Sequence, residues 1–150
     1  MLPATSSTMR TVNRSTVLQA IRLHGPLARA EIARRLSMSL PTVIRIVDEL
    51  MAEDLVRATG DAAATGGRPG PLLAFNGSAF LVLGVDLGGT KMFGTLADLA
   101  GHVHYEEYVE HPPGSTAQDY LDELIAFISA ITARATQSGR RLRGVGVGVP

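Results

Sequence analysis

Apolar residues recur along this chain with two different periods, and the change between them divides it. Up to about residue 53 the spacing is helical. Val17, Leu18 and Ile21 share one stripe, with Asn13 or Ser15 as the cap and Gly25-Pro26 as the stop after His24. A second helix is predicted from about Arg29 to Leu36, with Ile32, Ala33 and Leu36 inward and Arg29, Arg34 and Arg35 pointing elsewhere. Ser37-Met38-Ser39 is a tight turn. A third helix follows from about Leu40 to Glu53 and buries Val43, Ile46, Val47 and Leu50. Pro41 suits its first turn, where a missing N–H costs least. Glu31 has the position of the far half of a capping box, but Ala28 has no hydroxyl to complete it, a loss of about 1 kcal/mol.

Beyond residue 54 the pattern turns to strands. Leu55 to Thr59 and Leu72 to Phe75 form a hairpin around the flexible tip GDAAATGGRPGP, and Asn76-Gly77-Ser78 marks a boundary. Phe80 to Val85, Met92 to Ala97 and Val103 to Val109 read as a three-stranded meander. Ser115 or Thr116 then caps a long helix to about Gln137, with Leu121, Leu124, Ile125, Ile128 and Ile131 as its expected buried face. Gly139 ends it, and GVGVGVP is a small-residue strand that returns to the sheet.

The two short helices joined by a tight turn have the layout of a helix-turn-helix, in which the second helix enters the major groove and the hairpin after it is a wing. Charge supports this. Residues 1–76 hold nine arginines against six acids, a net of +3, whereas residues 77–150 are net −3. A basic front module suits a nucleic-acid contact there and not in the second half. Near the start of the third helix, Arg45 can donate two hydrogen bonds to a guanine and Thr42 can bond a base or a phosphate. Ile44 is apolar on the exposed side; contact with a thymine methyl and packing on a neighbouring element fit it equally. The expected DNA-contact set is Arg29, Ser39, Pro41, Thr42, Ile44 and Arg45, joined at the wing tip by Gly67 and Arg68, where glycines let the backbone approach phosphates or the minor groove.

The composition narrows the class. Hydrophobic residues make up 45% of 150, enough for a core. No run is long and apolar enough for a membrane span. The opening MLPATSSTMRTVNR lacks the apolar centre of a secretory signal and reads as a flexible leader over residues 1–12. The absence of cysteine excludes disulfides and thiolate metal sites within the chain and fits the cytoplasm. Histidines 24, 102, 104 and 111 do not fall at metal-ligand spacing, and no catalytic residue is assigned.

One loop carries a second chemistry. In Asp86-Leu87-Gly88-Gly89-Thr90-Lys91, two glycines allow backbone N–H groups to approach a phosphate. Thr90 adds a hydroxyl, Asp86 can hold a metal-bound water, and Lys91 offers a positive charge. Neither a Walker A nor a GxGxxG spacing is present. By spacing alone the stretch reads first as a tight hairpin turn.

The order helix-turn-helix, TGGRPGPLLAFN, LGVDLGGTKMFGTLADLAGHV, helix, GVGVGVP resembles the ROK family of repressors and sugar kinases over about Asn13 to Pro150. The resemblance implies a multidomain chain. Residues 13–76 would form a winged helix-turn-helix, mainly α with a β-hairpin wing, and residues 77–150 the N-terminal part of an α/β actin-like ATPase (ROK) domain. It further implies that Asp86, Gly88, Gly89, Thr90 and Lys91 line a nucleotide phosphate site. The implied function is a cytoplasmic transcriptional regulator, a repressor of carbohydrate-utilisation genes. It would bind double-stranded operator DNA as a homo-oligomer and answer to a sugar or sugar phosphate. The alternative is an ATP-dependent sugar kinase. The family's catalytic aspartate, sugar-binding residues and zinc segment lie further downstream, so no enzyme activity and no cofactor are expected of this chain; ATP with Mg²⁺ and a structural zinc would belong to a longer protein. The family's GxGxPG motif breaks off after Pro150. Ala28, Ile44 and Asp54 depart from the family pattern, which usually has a capping serine, a small polar residue and a helix-ending glycine at these places.

Overall fold

A computed structural model describes residues 6–61, 70–111, 114 and 116–149. The chain separates into two compact units, Met1–Asn76 and Gly77–Pro150. In the first, α1 (Ser6–His24), α2 (Arg29–Leu36) and α3 (Leu40–Ala52) precede the antiparallel strands β1 (Val56–Asp61) and β2 (Pro71–Phe75). The core is the side chains the helical spacing selects. Val17, Ile21, Ile32, Val43, Ile46, Val47 and Leu50 are buried with Leu27, Val56 and Leu73. Leu27 exchanges two backbone hydrogen bonds with Leu73, at 3.0 and 2.9 Å, which fastens the α1–α2 connection to β2. Gly25 fits the tight end of α1, because a Cβ there would lie 2.5 Å from the Ile21 carbonyl oxygen and 3.3 Å from that of Leu73.

The helix junctions follow local chemistry. Ser37, in the left-handed region at φ 52°, ends α2, and the Met38 amide donates to the Ala33 carbonyl at 3.0 Å. Asp54, at φ 60°, does the same service after α3, and the Leu55 amide reaches the Leu50 carbonyl at 2.9 Å. Aspartate tolerates this conformation better than most residues, so the helix ends cleanly without a glycine. Ala28 stands at the head of α2 and makes no side-chain cap.

The first helix departs from the expected leader: it is already helical at Ser6, not at Asn13. Serine and threonine favour loops and caps in isolation, but tertiary contacts override that weak preference here. Arg10 pairs with Glu49 at 2.7 Å and Arg14 with Glu53 at 2.6 Å, laying the extra turns along α3. Each is an exposed pair of small individual value. Residues 1–5 of the leader lie outside the described residues.

The second unit is a four-stranded sheet in the order β5-β4-β3-β6, formed by β3 (Phe80–Leu87), β4 (Lys91–Asp98), β5 (Val103–Glu110) and β6 (Arg141–Gly148). The meander is antiparallel, and β6 returns parallel to β3 after α4 (Ala117–Gln137). Leu81, Leu83, Val85, Met92 and Leu96 alternate onto the face that α4 covers with Phe127, Ile131 and Ala135. Gly94 permits this contact, since a Cβ there would meet both Ile131 and Phe127 at 2.6 Å. Thr116 and Asp119 form a reciprocal capping box at the head of α4, and the bonds from Thr116 hold the Asp119 carboxyl below its ordinary range.

The buried face of α4 is rotated from the expected one. Leu121 and Ile125 are 49% and 56% exposed, whereas Phe127 and Ala135 are buried with Ile131. At about 100° per residue, Ile125 stands about 120° round the helix from Ile131, so one layer of sheet cannot receive both. Leu124 and Ile128 take the half-buried flank.

Candidate nucleic-acid interface and phosphate loop

Ser39 sets the start of α3. Its hydroxyl accepts the Thr42 amide at 3.4 Å and lies 2.8 Å from the Thr42 hydroxyl. Two of the predicted contact residues are thus held together by the cap. Pro41, Ile44 and Arg45 are exposed on the same opening turns, with Ile44 at 39%. Among the described residues Arg45 is engaged by a loose pair with Glu49 at 3.5 Å, so its guanidinium keeps donors to offer. Arg29 is placed differently: its Nη2 sits 2.9 Å from Asp48 and 3.7 Å from the Met51 sulfur, bracing α2 against α3. Gly67 and Arg68 lie outside the described residues.

Residue-by-residue reading passed over Leu40, 44% exposed. It is one helical turn before Ile44, so the two form an apolar pair on the outer face of α3. The signal was available in their spacing. Beside this face Arg34 and Arg35 converge on Glu31, at 2.8 and 2.6 Å. Arg34 first and Arg35 second pull the Glu31 carboxyl down to about 2. Both arginines are therefore already answered by a carboxylate.

In the second unit the DLGGTK stretch is the turn between β3 and β4. The Gly88 amide donates to the Lys91 carbonyl at 2.9 Å and closes the hairpin, so it is not a free donor for a phosphate. Gly89, Thr90 and Lys91 are exposed at the tip. Two outside groups hold the tip: the Tyr120 hydroxyl donates to the Gly89 carbonyl at 2.9 Å, and the His111 amide to that of Thr90 at 2.9 Å. The loop is both a hairpin turn and a firm one, with the Lys91 side chain exposed.

The sheet also brings together two motifs far apart in sequence. Parallel pairing sets Gly84 opposite Gly146 and Asp86 opposite Gly148. With Phe93 and Thr95 they line a shallow concavity of about 350 Å³ on the face away from α4. Missing side chains on β6 open the space, and the exposed Asp86 carboxylate stands at its rim. Such a trough admits a flat, hydroxyl-rich body against backbone, with Asp86 accepting a hydroxyl and the DLGGTK tip adjoining it in sequence. The residues at the tip fit an oxyanion. No group of three His, Cys, Asp or Glu among the described residues is placed to hold a metal ion.

Spacing also hid the surroundings of the histidines. Asp98 is 4% exposed and gathers His102 and His104, with ring nitrogens at 3.3 and 3.2 Å. His111 is buried beside Glu123, its Nδ1 at 2.6 Å, with its ring edge-on to Tyr120.

Comparison with known proteins places both units. Residues 10–65 match the model of the MarR family and residues 82–150 that of the ROK family. The chain is 31% identical over 142 residues to the xylose repressor of Bacillus spizizenii, covering 95% of this chain and 37% of that protein. It is 28% identical over 135 residues to the DNA-binding transcriptional dual regulator NagC of Escherichia coli, covering 90% and 32%. The chain thus spans about a third of the length of these relatives. Its fold is similar to the crystal structure of a ROK family transcriptional regulator, homolog of the E. coli MLC protein, with a TM-score of 0.79 at 19% identity over 95% of this chain and 36% of that one. Among the described residues no helix is long and apolar enough to cross a membrane.

Proposed function

We propose that this chain, which joins a segment matching the MarR family to one matching the ROK family, is a sugar-responsive DNA-binding regulator, a repressor of carbohydrate-utilisation genes. The observation that carries this is the free face of α3. A capped helix start offers Ser39, Pro41, Thr42, Ile44 and Arg45 to solvent while its other side is locked into the core. That is what a recognition helix needs: donors at its first turns and a rigid back. Similarity to a xylose repressor and to NagC supports the same reading.

The operator partner is double-stranded DNA, met by a homo-oligomer of the intact protein on a two-fold site. The effector is a sugar or sugar phosphate. The trough bounded by Gly84, Asp86, Gly146 and Gly148 supports that class, because small residues and one carboxylate suit a polyol. Gly89, Thr90 and Lys91 would face a phosphate group on it, with Gly88 shaping the turn and Asp86 accepting a sugar hydroxyl. The kinase alternative is not favoured, since the relatives matched over 90–95% of the chain are regulators.

The reading is tested by selecting duplexes from a random library with the chain at physiological salt. Enrichment of a discrete motif is expected, with log affinity falling linearly against log salt. Recovery of unenriched sequence, or binding indifferent to salt, would refute it.

A further inference from the structure

The second unit holds a cavity that the proposed DNA and sugar chemistry does not use. It opens at the other end of the sheet from the DLGGTK tip, between the start of β3 and the end of α4. Leu81 lies seven residues before Gly88 along the strand line, roughly 20 Å away by strand rise. The volume is about 440 Å³, and its floor is apolar, made of Leu81, Leu96 and the Tyr105 ring. Its rim carries Arg134, Arg140 and His104.

Two features of the rim indicate a ligand. Neither guanidinium is paired with a carboxylate among the described residues. Arg134 lies over the Tyr105 ring, 4.4 Å from its centre, and Arg140 points at an imidazole. The carboxylates nearby are committed elsewhere: Asp98 accepts the Ala100 and His102 amides at 3.0 Å each, and Glu107 accepts the Tyr105 hydroxyl at 2.9 Å. Nor does the C-terminus of α4 require Arg134, because the Ser138 and Gly139 amides close its last carbonyls.

The second feature is the acceptor that Arg140 meets. Its Nη1 lies 2.7 Å from His104 Nε2 and 3.3 Å from Nδ1, while Asp98 Oδ2 lies 3.2 Å from the same Nε2. With its proton on Nε2 the ring donates to Asp98 and leaves one neutral lone pair, at Nδ1, to a guanidinium with five N–H donors. An anion in the cavity would give those donors a charged acceptor.

We infer that this cavity is a binding site for a small organic anion, a carboxylate or phosphate monoester on a compact apolar body, gripped by Arg134 and Arg140. The charged groups about it are Arg134 from α4, Arg140 before β6, and Asp98, which His102 and His104 both meet. The cationic set outweighs the one shielded carboxylate. A volume of this order accommodates a ring with one charged group.

The test is a titration of the full chain with benzoate, phenyl phosphate and inorganic phosphate, followed by amide and arginine side-chain NMR signals. Saturable shifts at His104, Ser138 and Arg140 are expected, tighter for one of the aromatic anions than for inorganic phosphate. Which aromatic anion binds better separates a carboxylate from a phosphate ligand. The double change Arg134→Gln with Arg140→Gln should weaken binding about tenfold or more, with the spectrum elsewhere unchanged. Shifts that never saturate, that centre on Gly89 and Thr90 instead, or that persist undiminished in the double variant would overturn the proposal.

Discussion

The Ser39 and Thr42 hydroxyls lie 2.8 Å apart at the head of α3, and Ser39 also receives the Thr42 amide. One residue therefore closes the helix and orients a neighbour on the proposed DNA-contact face. Ser39→Ala should cost about 1 kcal/mol of stability. It should also weaken operator binding by more than that loss explains at temperatures where the unit stays folded. Urea titration read from α3 amide signals gives the first quantity, and fluorescence anisotropy with labelled duplex the second.

Ala28 presents the opposite case. Its backbone, φ −78° and ψ 153°, already has the extended geometry of a capping residue, but its methyl accepts nothing. Ala28→Ser should raise stability by about 1 kcal/mol. Glu31 is held by Arg34 and Arg35, so the gain comes from the serine oxygen. An unchanged urea midpoint would show that water caps α2 equally well.

Arg45 is loosely paired and projects from the first turns of α3. Arg45→Ala should cost about 1–3 kcal/mol at a single base pair and relax sequence choice there. A uniform loss across all duplexes would assign it to phosphate instead.

Asp98 supplies the pH prediction. Burial alone would raise its pKa, but the His102 amide, the His104 and His102 rings and the Ala100 amide together hold it at about 2, against an ordinary 3.8. A folded value below the unfolded one means stability is present above about pH 4 and is lost as pH falls towards 2. Acid unfolding of the second unit should therefore steepen in that window, and Asp98→Asn should remove that steepening while lowering stability at neutral pH.

Gly94 is where α4 meets the sheet most closely. Gly94→Ala places a methyl 2.6 Å from Ile131 and Phe127, an overpacking of about 1–3 kcal/mol. Circular dichroism melts should show the loss, and Phe127→Leu in the same chain should recover part of it.

Much of this was legible in the residues. The bounds of α2, the four buried positions of α3 and the strand Phe80 onward follow from period and punctuation, which are local properties. The errors have a common cause. Ser6 to Val12 is helical because Glu49 and Glu53, about 40 residues on, attract Arg10 and Arg14. Ile125 is exposed because the sheet lies under Phe127 and Ile131, and a stripe of five apolar residues does not say which part of it is covered. For the sites, the types at positions 42, 45 and 86 were readable. That Gly88 spends its amide on Lys91, that Arg29 leans on Asp48, and that Asp86 stands against Gly148 are all set by pairing between distant segments.

The parallel union of β3 with β6 has a consequence in time. Its partners, Phe80 with Arg141 through Asp86 with Gly148, lie about 60 residues apart, whereas each pair in the first unit and in the β3–β4–β5 meander is closed by a much shorter chain. During synthesis, Ser39, Thr42 and Arg45 are assembled on a finished unit while Leu81 to Asp86 still wait for their neighbour. The half proposed to read DNA is thus expected to fold on the ribosome before the half proposed to control it.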